Sequence, residues 1–142
     1  MQHVEVIHDF AAPVERVWAC YTDHRGWSRW VRLGRVTLAR EGQPTPDGVG
    51  CVRVIGPGPF AVHEEVLVFE PSRRMVYALI KGAVPIRHHR GEVTFAALPD
   101  GRSRVTWRCQ FDSIVPGLGP LVRRGVARMF AQVLSRMASQ LP

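Results

Sequence analysis

The sequence predicts an α+β fold in which a long C-terminal helix closes a curved antiparallel sheet, and three observations predict it. Segments with period-two alternation open the chain and fill most of residues 36–112. Turn-forming clusters separate them at hairpin spacing. Beyond residue 120 the apolar residues change to spacings of three and four, the period of an amphipathic helix.

Val4, Val6, His8 and Phe10 alternate with polar residues apart from Ile7, which marks a strand with one buried face. Pro13 suits the first turn of a helix, and Glu15 in that turn favours the helix dipole. Val14, Val17, Trp18 and Tyr21 then form one apolar stripe, and Thr22-Asp23-His24 ends it. Gly26 to Trp30 reads as a second short helix or turn.

Val36 to Ala39 is the next strand, followed by the loop Glu41 to Gly48. Cys51 to Ile55 is a strand, and Gly56-Pro57-Gly58-Pro59 a turn. Ala61 to Glu70 and Arg74 to Lys81 form a hairpin around Pro71-Ser72. A two-residue tip there sets Val66 opposite Tyr77 with Glu64 on their face; a three-residue tip changes the pairing.

Arg87 to Leu98 and Arg102 to Asp112 form another hairpin around Pro99-Asp100-Gly101, where Asp tolerates and Gly supplies the special dihedrals. His89, Gly91, Val93 and Phe95 share one face, and Val105, Trp107, Cys109 and Phe111 share another. A one-residue slip would put Trp107 and Phe111 in water, so these sets face the interior. In the final helix Val122, Val126, Met129, Phe130, Val133, Met137 and Leu141 make the buried stripe, with Arg124, Arg128 and Arg136 opposite. Burying it is worth roughly 1.5–3 kcal/mol per large side chain, which makes the helix part of the core.

With 142 residues the chain suits a single domain, 1–142. No apolar run approaches the ~20 residues of a membrane-spanning helix. Met1 leads directly into an alternating segment rather than a signal peptide, so a cytoplasmic location is expected. The three cysteines match no zinc or redox spacing and read as small core residues. The net charge of +7 raises nucleic acid as a partner, but 18 of the 19 basic residues are scattered arginines, with only Arg73-Arg74 and Arg123-Arg124 adjacent. No specific nucleic-acid partner is expected.

A twisted seven-stranded sheet on one helix is not evenly filled by side chains, so a gap between sheet and helix is expected to hold a small molecule. Val93, Phe95, Val105, Trp107 and Phe111 are its expected sheet walls and Val126, Phe130 and Val133 its helix walls. Trp27, Trp30 and Tyr77 add aromatic surface suited to a flat apolar ligand, and Gly91 leaves room for it. His89 reads either as a hydrogen-bond anchor or general acid–base, or as a core histidine tied to a backbone group. One of Glu64 and Glu65 points inward, either pairing with His89 in proton transfer or bonding Arg53. Arg53, if inward with Cys51 and Ile55, suits a carboxylate or enolate ligand, or one of those glutamates. Tyr77 is a further acid–base candidate. His88 and His89 lie on opposite faces and do not share a metal easily, no nucleotide or hydrolase motif occurs, and neither metal nor cofactor is expected. Gly117 and Gly119 mark a candidate mobile entrance.

Phe10-Ala11-Ala12-Pro13-Val14-Glu15-Arg16-Val17-Trp18 resembles the opening strand and A-P-x-E-x-V-W helix of the START-like (SRPBCC) superfamily, which contains polyketide cyclases, pollen-allergen proteins and lipid-transfer domains. Thr22-Asp23 followed by Trp27 and Trp30, Pro46-Asp47-Gly48-Val49-Gly50 before Arg53, and Glu65-Val66 with Glu70-Pro71 resemble it too. So do Pro85-Ile86-Arg87-His88 before Gly91-Glu92-Val93, and Thr106-Trp107, so the resemblance runs from about residue 2 to 140. It implies a helix-grip fold. Its members include binders, carriers and enzymes without a shared catalytic motif. Three functions follow as expectations: a binder or carrier of a small hydrophobic, lipid- or polyketide-like molecule; a cyclase- or dehydratase-type enzyme using His89 with Glu64, Glu65 or Tyr77; and a basic interaction module. Monomer and homodimer both remain open.

Overall fold

The computed structural model describes residues 1–142. After β1 (Gln2–Phe10), the Pro13 carbonyl accepts the N–H groups of Arg16 and Val17 and starts α1 (Val14–Thr22), which buries Val17, Trp18 and Tyr21. A 3₁₀ helix (Arg25–Arg29) follows and buries Trp27. Then come β2 (Val36–Arg40), β3 (Val52–Ile55), β4 (Val62–Glu70), β5 (Arg74–Lys81), β6 (Ile86–Ala97), β7 (Ser103–Ser113) and α2 (Gly119–Ser139). All seven strands pair antiparallel in the order β1-β7-β6-β5-β4-β3-β2. The chain therefore crosses from one sheet edge to the other through α1 and the 3₁₀ helix, then returns strand by strand to lie beside its own start.

This is the α+β, helix-grip architecture expected, with the strand faces as expected. Val93 opposes Trp107 and Gly91 opposes Cys109, and Val105, Trp107, Cys109 and Phe111 are all buried. The β6–β7 turn places Asp100 at φ 64° and Gly101 at φ 73°, the left-handed region those residues tolerate best.

Two bulges refine the register. Glu70 pairs with Arg74, so the β4–β5 tip has three residues, yet Val66 still opposes Tyr77 because Leu67 is an extra residue in β4. That bulge turns both Val66 and Phe69 towards the core, where Phe69 meets the edge of Trp18 at 5.0 Å. A second bulge lies at His88-His89, where His88 takes φ 55°; His89 shares the inner face with Gly91, as alternation expects.

The helix stripe needs one correction. Phe130, Val133, Leu134, Met137 and Leu141 are its buried members, whereas Val122 and Val126 are half-buried and Met129 is 37% exposed. Leu134 joins the stripe and Met129 lies at its exposed margin, on a helix that packs chiefly along β1.

The expected open gap is also corrected. The rings of Phe130 and Trp107 stack with centres 4.0 Å apart and 9° between planes, so helix and sheet meet in van der Waals contact at the middle of the grip. Two open grooves lie elsewhere: one of about 500 Å³ on the outer sheet face around Val76, Arg90 and Gln110, the other between the 3₁₀ helix and the end of α2.

On that outer face Arg104 holds Asp9 through two hydrogen bonds, Arg108 holds Glu5, Arg74 holds Glu92 and Arg40 holds Glu65. These four arginines are thus each held beside a carboxylate. Exposed pairs of this kind contribute only about 0–1 kcal/mol each. No helix is long and apolar enough to cross a membrane.

Candidate functional site

Period two in β3 turns Arg53 inward, on the same face as Cys51, and the side chain is 0% exposed. Its register partner is Glu64, and Arg53 Nε donates to Glu64 Oε1 at 2.9 Å. The guanidinium carbon lies 4.6 Å from the Tyr77 ring centre, 4.9 Å from Trp27 and 5.7 Å from Tyr21. Three aromatic faces and one carboxylate therefore enclose a cation that stays charged in proteins.

They do not satisfy its hydrogen bonds. Both Nη1 and Nη2 of Arg53 are buried without a partner, as are the Tyr21 hydroxyl and Nε2 of His24. Leaving such groups unpaired costs about 1–3 kcal/mol each, more for a charged one. The Tyr21 oxygen lies close enough to the guanidinium to interact with it, although no hydrogen bond of good geometry joins the two. Burial pushes the Tyr21 hydroxyl up to about 12 against the opposing pull of Arg53, so it remains a neutral donor. Burial likewise raises Tyr77 well above its usual range.

The walls are braced by indole N–H groups. Trp27 donates to the Tyr21 carbonyl at 2.8 Å, and Trp107 donates to the Tyr77 oxygen at 2.7 Å, leaving the Tyr77 O–H to donate elsewhere. Tyr21 meets the edges of Trp27 and Trp107. Gly91 stands opposite Tyr77, and a Cβ there would clash with the hydroxyl end of its phenol ring. Glycine is required for contact, not for backbone freedom.

Of the residues predicted for the site, Trp27, Arg53, Glu64, Tyr77, Gly91, Trp107 and Phe130 come together around this guanidinium and its walls. Glu64 is the inward glutamate, with its side chain 13% exposed; Glu65 points outward to Arg40. Val93 and Phe111 are buried in the adjoining core, Val126 is half-buried on α2, and Trp30 packs behind Trp27 at 5.7 Å.

His89 is inward, but its Nδ1 accepts the Leu79 N–H at 3.0 Å and its ring leans on Tyr77 at 5.4 Å. It is tied to a backbone group and bonds neither Glu64 nor Tyr77, so the expected acid–base pair is not assembled. Tyr21 and His24 are the residues that sequence reasoning missed: one read as core stripe, the other as a helix end. The signal in hindsight is a phenol and an imidazole flanking an indole on the element that faces β3.

Burial lowers the pKa of His89, with Arg53 adding to the effect and Glu64 opposing it. A histidine titrating lower when folded than its unfolded ~6.5 stabilises fully above that value and loses the contribution as pH falls below it. Urea unfolding at pH 7.5 and 5 should therefore show wild type losing more stability than His89→Gln, which keeps an acceptor for Leu79. Equal losses would contradict this placement.

The whole chain, residues 1–142, matches the family described as polyketide cyclase/dehydrase and lipid transport. No curated protein sequence matches it. Among solved structures it is similar to a protein of Thermobifida fusca (24% identity, TM-score 0.83, 99% of this chain and 93% of that one). It is also similar to a START superfamily protein of Mycobacterium smegmatis (10% identity, TM-score 0.82, 98% and 96%). The Zhui aromatase/cyclase of Streptomyces sp. R1128 resembles it equally (19% identity, TM-score 0.82, 98% and 92%). At these identities the likenesses establish the fold.

Proposed function

The chain belongs to the polyketide cyclase/dehydrase and lipid-transport family, and from that premise we propose that it binds a small, flat, largely apolar molecule carrying an anionic or enolic oxygen, with Arg53 as the polar anchor. The observation that carries this is the fully buried guanidinium whose Nη1 and Nη2 have no partner in the protein. An oxygen set between those nitrogens gains charge-assisted hydrogen bonds in a dry site. Tyr21, Trp27, Tyr77 and Trp107 offer the rings against which a flat ligand packs.

Access requires α2 to yield, since Phe130 stacks on Trp107. The segment before α2 suits that movement: Gly117 has φ 83° with open space around it, and Ile114, Val115 and Leu118 are exposed.

The same donors support a second reading, ring closure or dehydration of a polyketide-like substrate. Arg53 would hold an enolate and a neutral tyrosine would donate its proton. His89, bonded to Leu79, would position Tyr77 and not move protons itself.

Two-naphthoate and naphthalene are suitable probes, followed by the fluorescence of the site's tryptophans. Wild type should bind the carboxylate about ten- to a hundredfold more tightly than the hydrocarbon, as a charged hydrogen bond predicts. Replacing the pair together (Arg53→Met with Glu64→Met) should erase that preference while retaining the hydrocarbon. A preference unchanged in the double variant, or no naphthoate binding at millimolar concentration, would overturn the reading.

A further inference from the structure

We propose that His24, Asp47 and Cys51 form a binding site for a divalent transition-metal ion of the zinc class. The inference is separate from the Arg53 site and rests on different atoms. His24 Nδ1 lies 3.1 Å from Asp47 Oδ1 and 3.7 Å from Cys51 Sγ, and the three donor atoms all fall within 4.8 Å of one another. Zinc bonds of ~2.0–2.1 Å to nitrogen and oxygen and ~2.3 Å to sulfur imply tetrahedral edges of about 3.3–3.6 Å between ligand atoms. The two measured separations bracket those edges. Closing the third needs a rotation of the Asp47 side chain, which is 26% exposed.

The donors sit on a fixed backbone. His24 begins the turn into the 3₁₀ helix, and its N–H reaches Asp47 Oδ1 at 3.3 Å. The β2–β3 loop is closed by paired hydrogen bonds between Gln43 and Val49 and by Gly48 N–H to Thr45 and Cys51 N–H to Gly48. Cys51 is further held by Val66, whose N–H donates to its carbonyl at 2.9 Å. Sites held this way keep their geometry before the ligand arrives.

The donor chemistry selects the ion. Imidazole and thiolate suit zinc and its neighbours, whereas magnesium and calcium take all-oxygen shells. Without an ion, Cys51 is a buried free thiol, S–H. On binding, that proton leaves to solvent and the imidazole proton moves from Nδ1 to Nε2. Asp47 and the new thiolate then balance the two positive charges. Three protein donors leave a fourth position for water or an exogenous ligand. The spacing hid the site: His24 stands 23 residues before Asp47, and only one of the three donors is a cysteine.

The test uses the full chain, stripped with chelator and titrated with Co²⁺ and then Zn²⁺. The expected result is one equivalent of cobalt with intense tetrahedral visible absorption and a thiolate-to-cobalt charge-transfer band, both abolished by Zn²⁺. Cys51→Ser should remove the charge-transfer band. Asp47→Asn, at a half-exposed loop position and checked for folding by circular dichroism, should weaken cobalt binding more than about tenfold. A weak octahedral spectrum, a band that survives Cys51→Ser, or affinity unchanged in folded Asp47→Asn would each overturn the proposal.

Discussion

Glu64→Ala should lower the free energy of unfolding by about 3–5 kcal/mol, because it strips a buried arginine of its only charged partner. Arg53 is 0% exposed and touches no other carboxylate; its remaining neighbours are aromatic faces. Against a typical domain stability of ~5–15 kcal/mol this is a severe loss. Replacing both members of the pair (Arg53→Met with Glu64→Met) should recover most of it, since an apolar pair of similar volume removes both desolvation costs. Chemical denaturation of the two variants measures this directly. A double variant as unstable as Glu64→Ala would mean that the pair builds the fold, and that the unpaired Nη atoms are no stored cost awaiting a ligand.

The second large effect is expected at Gly91. In Gly91→Ala the new methyl would clash with the hydroxyl end of Tyr77, and that ring is held between Arg53 and the Trp107 indole N–H. Overpacking costs about 1–3 kcal/mol, and an indole left without its acceptor adds about 1–3 kcal/mol. Tyr77→Val is costly by itself, since it opens a cavity and unpairs the Trp107 indole, but it should cost less in the Gly91→Ala background, where it also clears the clash; a double-mutant cycle reports the coupling. Additive losses would show that Gly91 is needed for some reason other than the ring above it. Gly91→Ala should also weaken naphthoate binding, because a displaced Tyr77 no longer flanks the guanidinium.

Much of this was legible in the residues. Alternation placed Trp107 and Phe111 inside because the opposite register would have exposed both, and Asp100-Gly101 announced its own turn. Arg53 could be turned inward only on the condition that Cys51 and Ile55, with which it alternates, face inward. The choice between Glu64 and Glu65 was not legible, because it depends on how the residues between Val66 and Tyr77 divide between hairpin tip and bulge, and the extra residue Leu67 compensates for a longer tip. The open gap was misjudged for a similar reason. Periodicity gives a helix's apolar face but not its distance from the sheet, and here Phe130 closes that distance on Trp107. His24, Asp47 and Cys51 lay beyond sequence reading because a loop and a helix end, not a repeat or a motif, bring them together.

The placement of the ligand at Arg53 is tested most directly by intermolecular nuclear Overhauser effects from 2-naphthoate bound to isotopically labelled protein. The account predicts contacts from the naphthalene protons to the rings of Tyr21, Trp27 and Tyr77, with the carboxylate end nearest Arg53. Contacts confined to Val76, Arg90 and Gln110 on the outer sheet face, with none to those rings, would contradict it.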